Sequence, residues 1–130
     1  MDETRWDEIK NFTKTQFDCK YTGKNEMKHS FMLRLDQLAT DCAFRIRISS
    51  GYRDISHPVE KAKDGATGSH PDGIAADLMV GWQQAFKVLE VAMRMGFTGI
   101  GIKQKGSKRF IHLDDSEAKE GRPRPHVWSY

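Results

Sequence analysis

The sequence has no apolar run near the roughly 20 residues that a membrane-spanning helix requires, so a helical anchor is excluded. It has no block of five or six basic residues, and its net charge of +3 is dispersed. Nucleic-acid binding, which needs clustered as well as excess positive charge, is not expected. Cysteine is scarce: Cys19 and Cys42 lack C-x-x-C spacing and are too few for a disulfide framework. Two buried free thiols are expected, a single bridge being the alternative. The start, Met1-Asp2-Glu3-Thr4-Arg5, is acidic and lacks the basic opening and apolar stretch of a secretory signal, so synthesis in the cytoplasm is expected. There are no internal repeats and no low-complexity linkers.

What remains suits one soluble domain over residues 1–130, expected to be monomeric and long enough to bury a core without disulfides. Trp6, Ile9 and Phe12 stand at helical spacing behind Thr4, predicting a short helix over 4–12. Met27, Phe31, Leu35, Leu38, Ala39 and Cys42 recur every three or four residues and predict the main core helix over 25–42, with His29 on its surface. The period then changes to two. Phe44, Ile46 and Ile48 alternate with Arg45, Arg47 and Ser49, as in a strand with one buried face.

A polar loop over 54–68, with room for a turn of helix near 59–63, precedes a second strand over 74–80. Trp82, Ala85, Phe86, Leu89 and Met93 predict the apolar stripe of a second long helix ended by Gly96. Residues 98–103 and 109–114 read as a hairpin, and the proline-containing tail 121–128 as an extended segment over the domain. The order of elements implies α+β, with a small mainly antiparallel sheet against two longer helices and one short helix.

The chemistry concentrates in 49–77. Ser50-Gly51-Tyr52-Arg53 leaves the first strand, and Ser69-His70-Pro71-Asp72-Gly73-Ile74-Ala75-Ala76-Asp77 leads through a turn into the second. Asp77 falls mid-strand among Ala, Leu and Met, where a carboxylate is costly unless paired or bound to metal. His112 and Asp114 share one face of the hairpin's second strand. His70, Asp77 and His112 together supply two imidazoles and a carboxylate, the ligand count of a catalytic zinc with a position left for water. Arg53 is the candidate to steady an oxyanion or bind a substrate carboxylate, unless it pairs with Asp54 or another loop acid. Asp114 is the candidate general base, or else a partner that orients a ligand histidine. Ser69 either bonds substrate or shapes the turn, and His126 is a minor candidate for reaching the site.

These motifs, with Phe110-Ile111-His112-Leu113-Asp114, the late Trp128 and the opening Phe17-Asp18-Cys19 and Thr22-Gly23, resemble the M15 family of zinc D-Ala-D-Ala carboxypeptidases. That family shares a fold with the hedgehog signalling domain, and the likeness is greatest to its short phage and bacterial branch. The resemblance implies one zinc ion on His70, Asp77 and His112 and a role for Arg53, while Asp114 is the candidate base offered by the chain's own H-x-D arrangement, and Ser69 and Tyr52 are candidate substrate contacts. It implies cleavage of peptidoglycan stem peptides, often at D-amino acids, as carboxypeptidase or lytic endopeptidase, in a phage-encoded protein acting on the wall after release. A noncatalytic zinc-containing wall-binding or virion module is the alternative. Better studied members carry Asp or Glu three residues before the last zinc histidine, where this chain has Arg109.

Overall fold

The computed structural model describes residues 2–63 and 68–130. Its centre is a five-stranded mixed sheet in the order β1-β2-β4-β3-β5, formed by β1 (Arg47–Ser50), β2 (Ala75–Met79), β3 (Gly99–Lys103), β4 (Phe110–Asp114) and β5 (His126–Ser129). Three of the four pairings are antiparallel, and β5 joins β3 in parallel. The end of the proline-containing tail is extended, as expected, and pairs into the sheet as its fifth strand. This is an α+β architecture, as the order of sequence periods implies.

Two long helices, α1 (His29–Cys42) and α3 (Trp82–Met95), pack on each other, and a one-turn helix, α2 (Pro58–Lys61), lies in the loop between β1 and β2. Part of that expected loop, 64–67, lies outside the described residues. Phe31, Met32, Leu35 and Leu38 of α1 and Val88 and Val91 of α3 are buried with Leu78, Ile111 and Leu113 of the sheet. Strand alternation sends Ala76, Leu78, Ile100, Ile111 and Leu113 into this core. The intervening residues Asp77, His112 and Asp114 therefore belong to the opposite face.

Three local expectations change. The segment 4–12 contains only a 3-10 turn, Trp6–Glu8, because the Thr4 hydroxyl donates to the Met27 carbonyl (2.7 Å) instead of capping a helix. His29 is buried, its Nδ1 accepting from the Arg5 amide at 3.1 Å, so it is not a surface residue. On α3 Ala85 and Leu89 face the core as expected, joined by Val88, Val91 and Ala92, whereas Trp82, Phe86 and Met93 are exposed. Small and β-branched residues let α3 approach its neighbours closely, and the bulky ones are turned out. Cys19 and Cys42 are buried free thiols.

Candidate metal centre

Register builds the site. Asp77 of β2 pairs with His112 of β4, which pairs with Gly101 of β3, which pairs with Trp128 of β5. Along this row the side chains are a carboxylate, an imidazole, none, and an indole. The gap is needed: a Cβ on Gly101 would stand 2.7 Å from the Trp128 ring. The indole can therefore lean across β3 until its centroid is 5.1 Å from that of His112. In the next row Asp114 pairs with Gly99, where a Cβ would come within 2.2 Å of the Asp114 carboxylate. Glycine at both positions clears one face of β3 for groups anchored on its neighbours.

His70 reaches the same place from the turn before β2. Its Nδ1 lies 2.7 Å from the Gly51 carbonyl, which can only accept, so this nitrogen carries the proton. Nε2 is then the free donor atom, 3.4 Å from Asp77 Oδ1. His112 has the opposite arrangement: Nε2 donates to Asp114 Oδ2 at 2.8 Å, and Nδ1 faces Asp77 Oδ1 at 3.0 Å. The three buried ligand atoms lie within 4.8 Å of one another. Tetrahedral zinc ligands at about 2.0–2.2 Å from the ion stand about 3.4 Å apart. The donor set and its spacing thus fit zinc.

Protonation sets the two imidazoles apart: His70 is held in the neutral ligand form, whereas His112 would release a proton from Nδ1 when a metal binds. Burial holds His70 below its ordinary pKa, against the pull of Asp77, favouring the neutral ligand form. Burial alone would also lower His112, but bonds to Asp114 and Asp77 outweigh it and raise its pKa. Burial would raise Asp77, yet both histidines hold it well below the usual carboxylate range. A divalent cation placed between them would relieve the close approach of the two imidazoles by taking up lone pairs that now face one carboxylate.

Asp114 stands behind His112 rather than in the open cleft. It is fully buried and accepts five hydrogen bonds: from His112 Nε2, Ser69 Oγ (3.0 Å), the Ser116 amide (3.1 Å), and Arg124 Nε and Nη2 (2.9 and 2.7 Å). Burial would raise its pKa, but His112 and Arg124 hold it well below the ordinary value. Arg53 projects from the end of β1 toward the site, with Nη2 3.4 Å from Asp77 Oδ2 and Nη1 3.3 Å from Glu60 Oε2. It pairs with a loop acid as well as with the site.

These groups line a cleft of about 760 Å³ shared by Arg53, Ser69, His70, Asp77 and His112. Phe110, Trp128 and Tyr130 give it an aromatic wall, and Lys119 and Arg122 a basic rim, with the buried Arg124 behind them. Tyr52 is absent from this lining; it is buried in the core, and its hydroxyl donates to Glu26 at 2.9 Å. His126 is exposed and stacks on Trp128, outside the ligand group. Arg109 caps the Trp82 ring at 4.3 Å instead of facing the cleft. Sequence reading overlooked Glu60, Arg124 and the two glycines. Only the glycines left a signal, Gly99-Ile100-Gly101, whose period of two places both on one strand face.

A buried His-Asp-His group at the floor of an open, basic cleft defines a candidate metallohydrolase. The chain belongs to the peptidase M15 family, whose description matches it over residues 8–114. The match ends at Asp114 and so covers all three ligand candidates, and it makes the chain a peptidase of a metal-dependent family. No curated protein matches the chain.

Proposed function

We propose that this protein is a zinc peptidase that hydrolyses peptide bonds in bacterial peptidoglycan stems, as a carboxypeptidase or a lytic endopeptidase, acting as a monomer. The observation that carries the reading is the convergence of His70, Asp77 and His112 at the floor of a cleft with aromatic and basic walls. A short peptide with its own carboxylates suits such a cleft. Its aliphatic parts pack on Phe110, Trp128 and Tyr130, and its anionic groups face the basic rim. None of the helices is long and apolar enough to cross a membrane among the described residues.

His70, Asp77 and His112 would hold the zinc, which would polarise a scissile carbonyl and bring the pKa of a water down to about 7. The chain's own residues do the rest. Gly51 and Asp114 each hold one ring nitrogen, fixing the tautomer and aim of His70 and His112. In this reading Asp114 orients His112 and does not take the water's proton, since both its oxygens are already engaged. The carboxylates lining the cleft, among the described residues, are Asp77 and Glu120. Arg53 offers its guanidinium edge to the carbonyl oxygen as charge develops there.

Mass spectrometry of digested peptidoglycan, with and without a chelator, tests the reading. Stem-peptide cleavage that the chelator abolishes and zinc restores is expected. Undiminished cleavage by folded His70→Ala or His112→Ala protein would overturn it.

A further inference from the structure

Glu60 is a buried charge that this mechanism leaves unused. It lies on α2, a single turn started by Pro58 and by the His57 side chain, whose Nδ1 accepts from the Val59 amide at 3.1 Å. The turn aims the Glu60 side chain inward, where it is completely buried. A carboxylate out of water is unfavourable unless donors replace the solvent. Three do: the Gly68 amide on Oε1 at 3.0 Å, and Lys63 Nζ and Arg53 Nη1 on Oε2 at 2.9 and 3.3 Å.

Two of those contacts lead into the metal centre. Gly68 immediately precedes Ser69 and His70, so its bond fixes the approach of one ligand. Arg53 is gripped on three edges, by Ser50 Oγ on Nε (3.0 Å), Glu60 on Nη1 and Asp77 Oδ2 on Nη2 (3.4 Å). Asp77 thereby presents Oδ2 to Arg53 and Oδ1 to both histidines. Glu60, Arg53 and Asp77 form a line of alternating charge running from the loop to the candidate ligand. Remove the outer carboxylate and, among the described residues, the guanidinium keeps Asp77 as its one anionic partner. It then competes with a cation for that carboxylate and is free to rotate out of the cleft.

We propose that Glu60 is a positioning residue that holds Arg53 at the edge of the cleft and keeps Asp77 Oδ1 available to the metal. The part concerning turnover rests on the peptidase reading above; the part concerning metal affinity does not.

The test compares full-length wild type with Glu60→Gln, Arg53→Ala and the double variant, each checked for fold by circular dichroism. Zinc affinity is read by competition with a chromogenic chelator, and kcat and KM on a peptidoglycan stem peptide. Glu60→Gln is expected to weaken zinc binding about tenfold and to lower kcat by about tenfold or more, with KM within about twofold, the signature of lost transition-state positioning. In the Arg53→Ala background the same substitution is expected to lower kcat little further. Wild-type zinc affinity and kcat in folded Glu60→Gln, or an equal fall in kcat with and without Arg53, would overturn the proposal. If wild type shows no hydrolysis, the peptidase reading fails, and zinc affinity alone decides the role of Glu60. Should Glu60→Gln not fold, Glu60→Asp carries the test: values between wild type and Arg53→Ala support the proposal, and wild-type values in both measurements refute it.

Discussion

Arg124 grips Asp114 with two parallel bonds, Nε to Oδ1 at 2.9 Å and Nη2 to Oδ2 at 2.7 Å, and both side chains are almost wholly buried. This fork fixes the plane of the carboxylate that in turn receives His112 Nε2. It also docks β5, because Arg124 lies just before that strand and its guanidinium carbon is 5.1 Å from the Trp128 ring centroid. The aromatic wall and the orientation of a candidate ligand therefore depend on one ion pair.

Truncating one partner of a buried pair leaves the other charge uncompensated, at a cost of about 3–5 kcal/mol. Arg124→Ala is accordingly expected to lower stability by about 3 kcal/mol in urea unfolding. It is also expected to weaken zinc binding, since an Asp114 that can rotate no longer holds His112. Unchanged unfolding midpoint and zinc affinity would show that the fork is ornamental to both.

The two glycines of β3 make a second prediction. Gly101→Ala puts a methyl group 2.7 Å from the Trp128 indole, and Gly99→Ala puts one 2.2 Å from Asp114 Oδ1. Overpacking typically costs about 1–3 kcal/mol, and Gly99→Ala is expected to be the worse because its clash is with a buried, five-fold-bonded carboxylate. Thermal unfolding should rank wild type above Gly101→Ala and Gly101→Ala above Gly99→Ala. Gly101→Ala should also shift tryptophan emission as the indole is pushed outward.

The sequence periods foretold much of this face of the sheet and little of what supports it. Period two placed Asp77 mid-strand and His112 and Asp114 on one side, and an isolated carboxylate among apolar residues already pointed to a ligand. Arg124 and Glu60 come from a tail and a one-turn helix, where no periodicity says which way a side chain points. Their meaning arises only from tertiary contacts with Asp114 and Arg53. On α3 the period was legible but the phase only in part, since Ala85 and Leu89 turn inward as expected, whereas close packing selected Val88, Val91 and Ala92 over the bulkier Trp82, Phe86 and Met93. Tyr52, a candidate substrate contact, follows the same lesson: successive side chains point to opposite faces, so beside a cleft-facing Arg53 it lies in the core.

Glu60 gives a pH dependence. Burial would raise its pKa, but the Gly68 amide, Lys63 and Arg53 together lower it below the ordinary glutamate value. A carboxylate whose folded pKa is depressed contributes stability that is fully present above its unfolded pKa, about 4.3, and is lost as pH falls through the folded value. Wild type is therefore expected to lose stability in acid over the range below about pH 4.3. Glu60→Gln is expected to be less stable at neutral pH and to show a shallower decline across that range. Parallel stability curves for the two proteins would contradict this.

Metal removal supplies the last prediction. A ligand that binds only the folded state stabilises it by RT ln(1 + [L]/Kd), about 4 kcal/mol when free ligand is a thousandfold above Kd. His70, Asp77 and His112 come from a turn and two different strands, so they converge only in the folded chain. Zinc should accordingly raise the melting temperature and a chelator should reverse the rise. His112→Ala should melt at one temperature with or without zinc, because two ligands from β2 and its preceding turn cannot close the site. Asp114→Asn should retain a zinc-dependent rise but a smaller one, since an amide can still accept from His112 yet lacks the carboxylate's charge. A zinc-dependent rise of wild-type size in His112→Ala would place the ion elsewhere on the molecule.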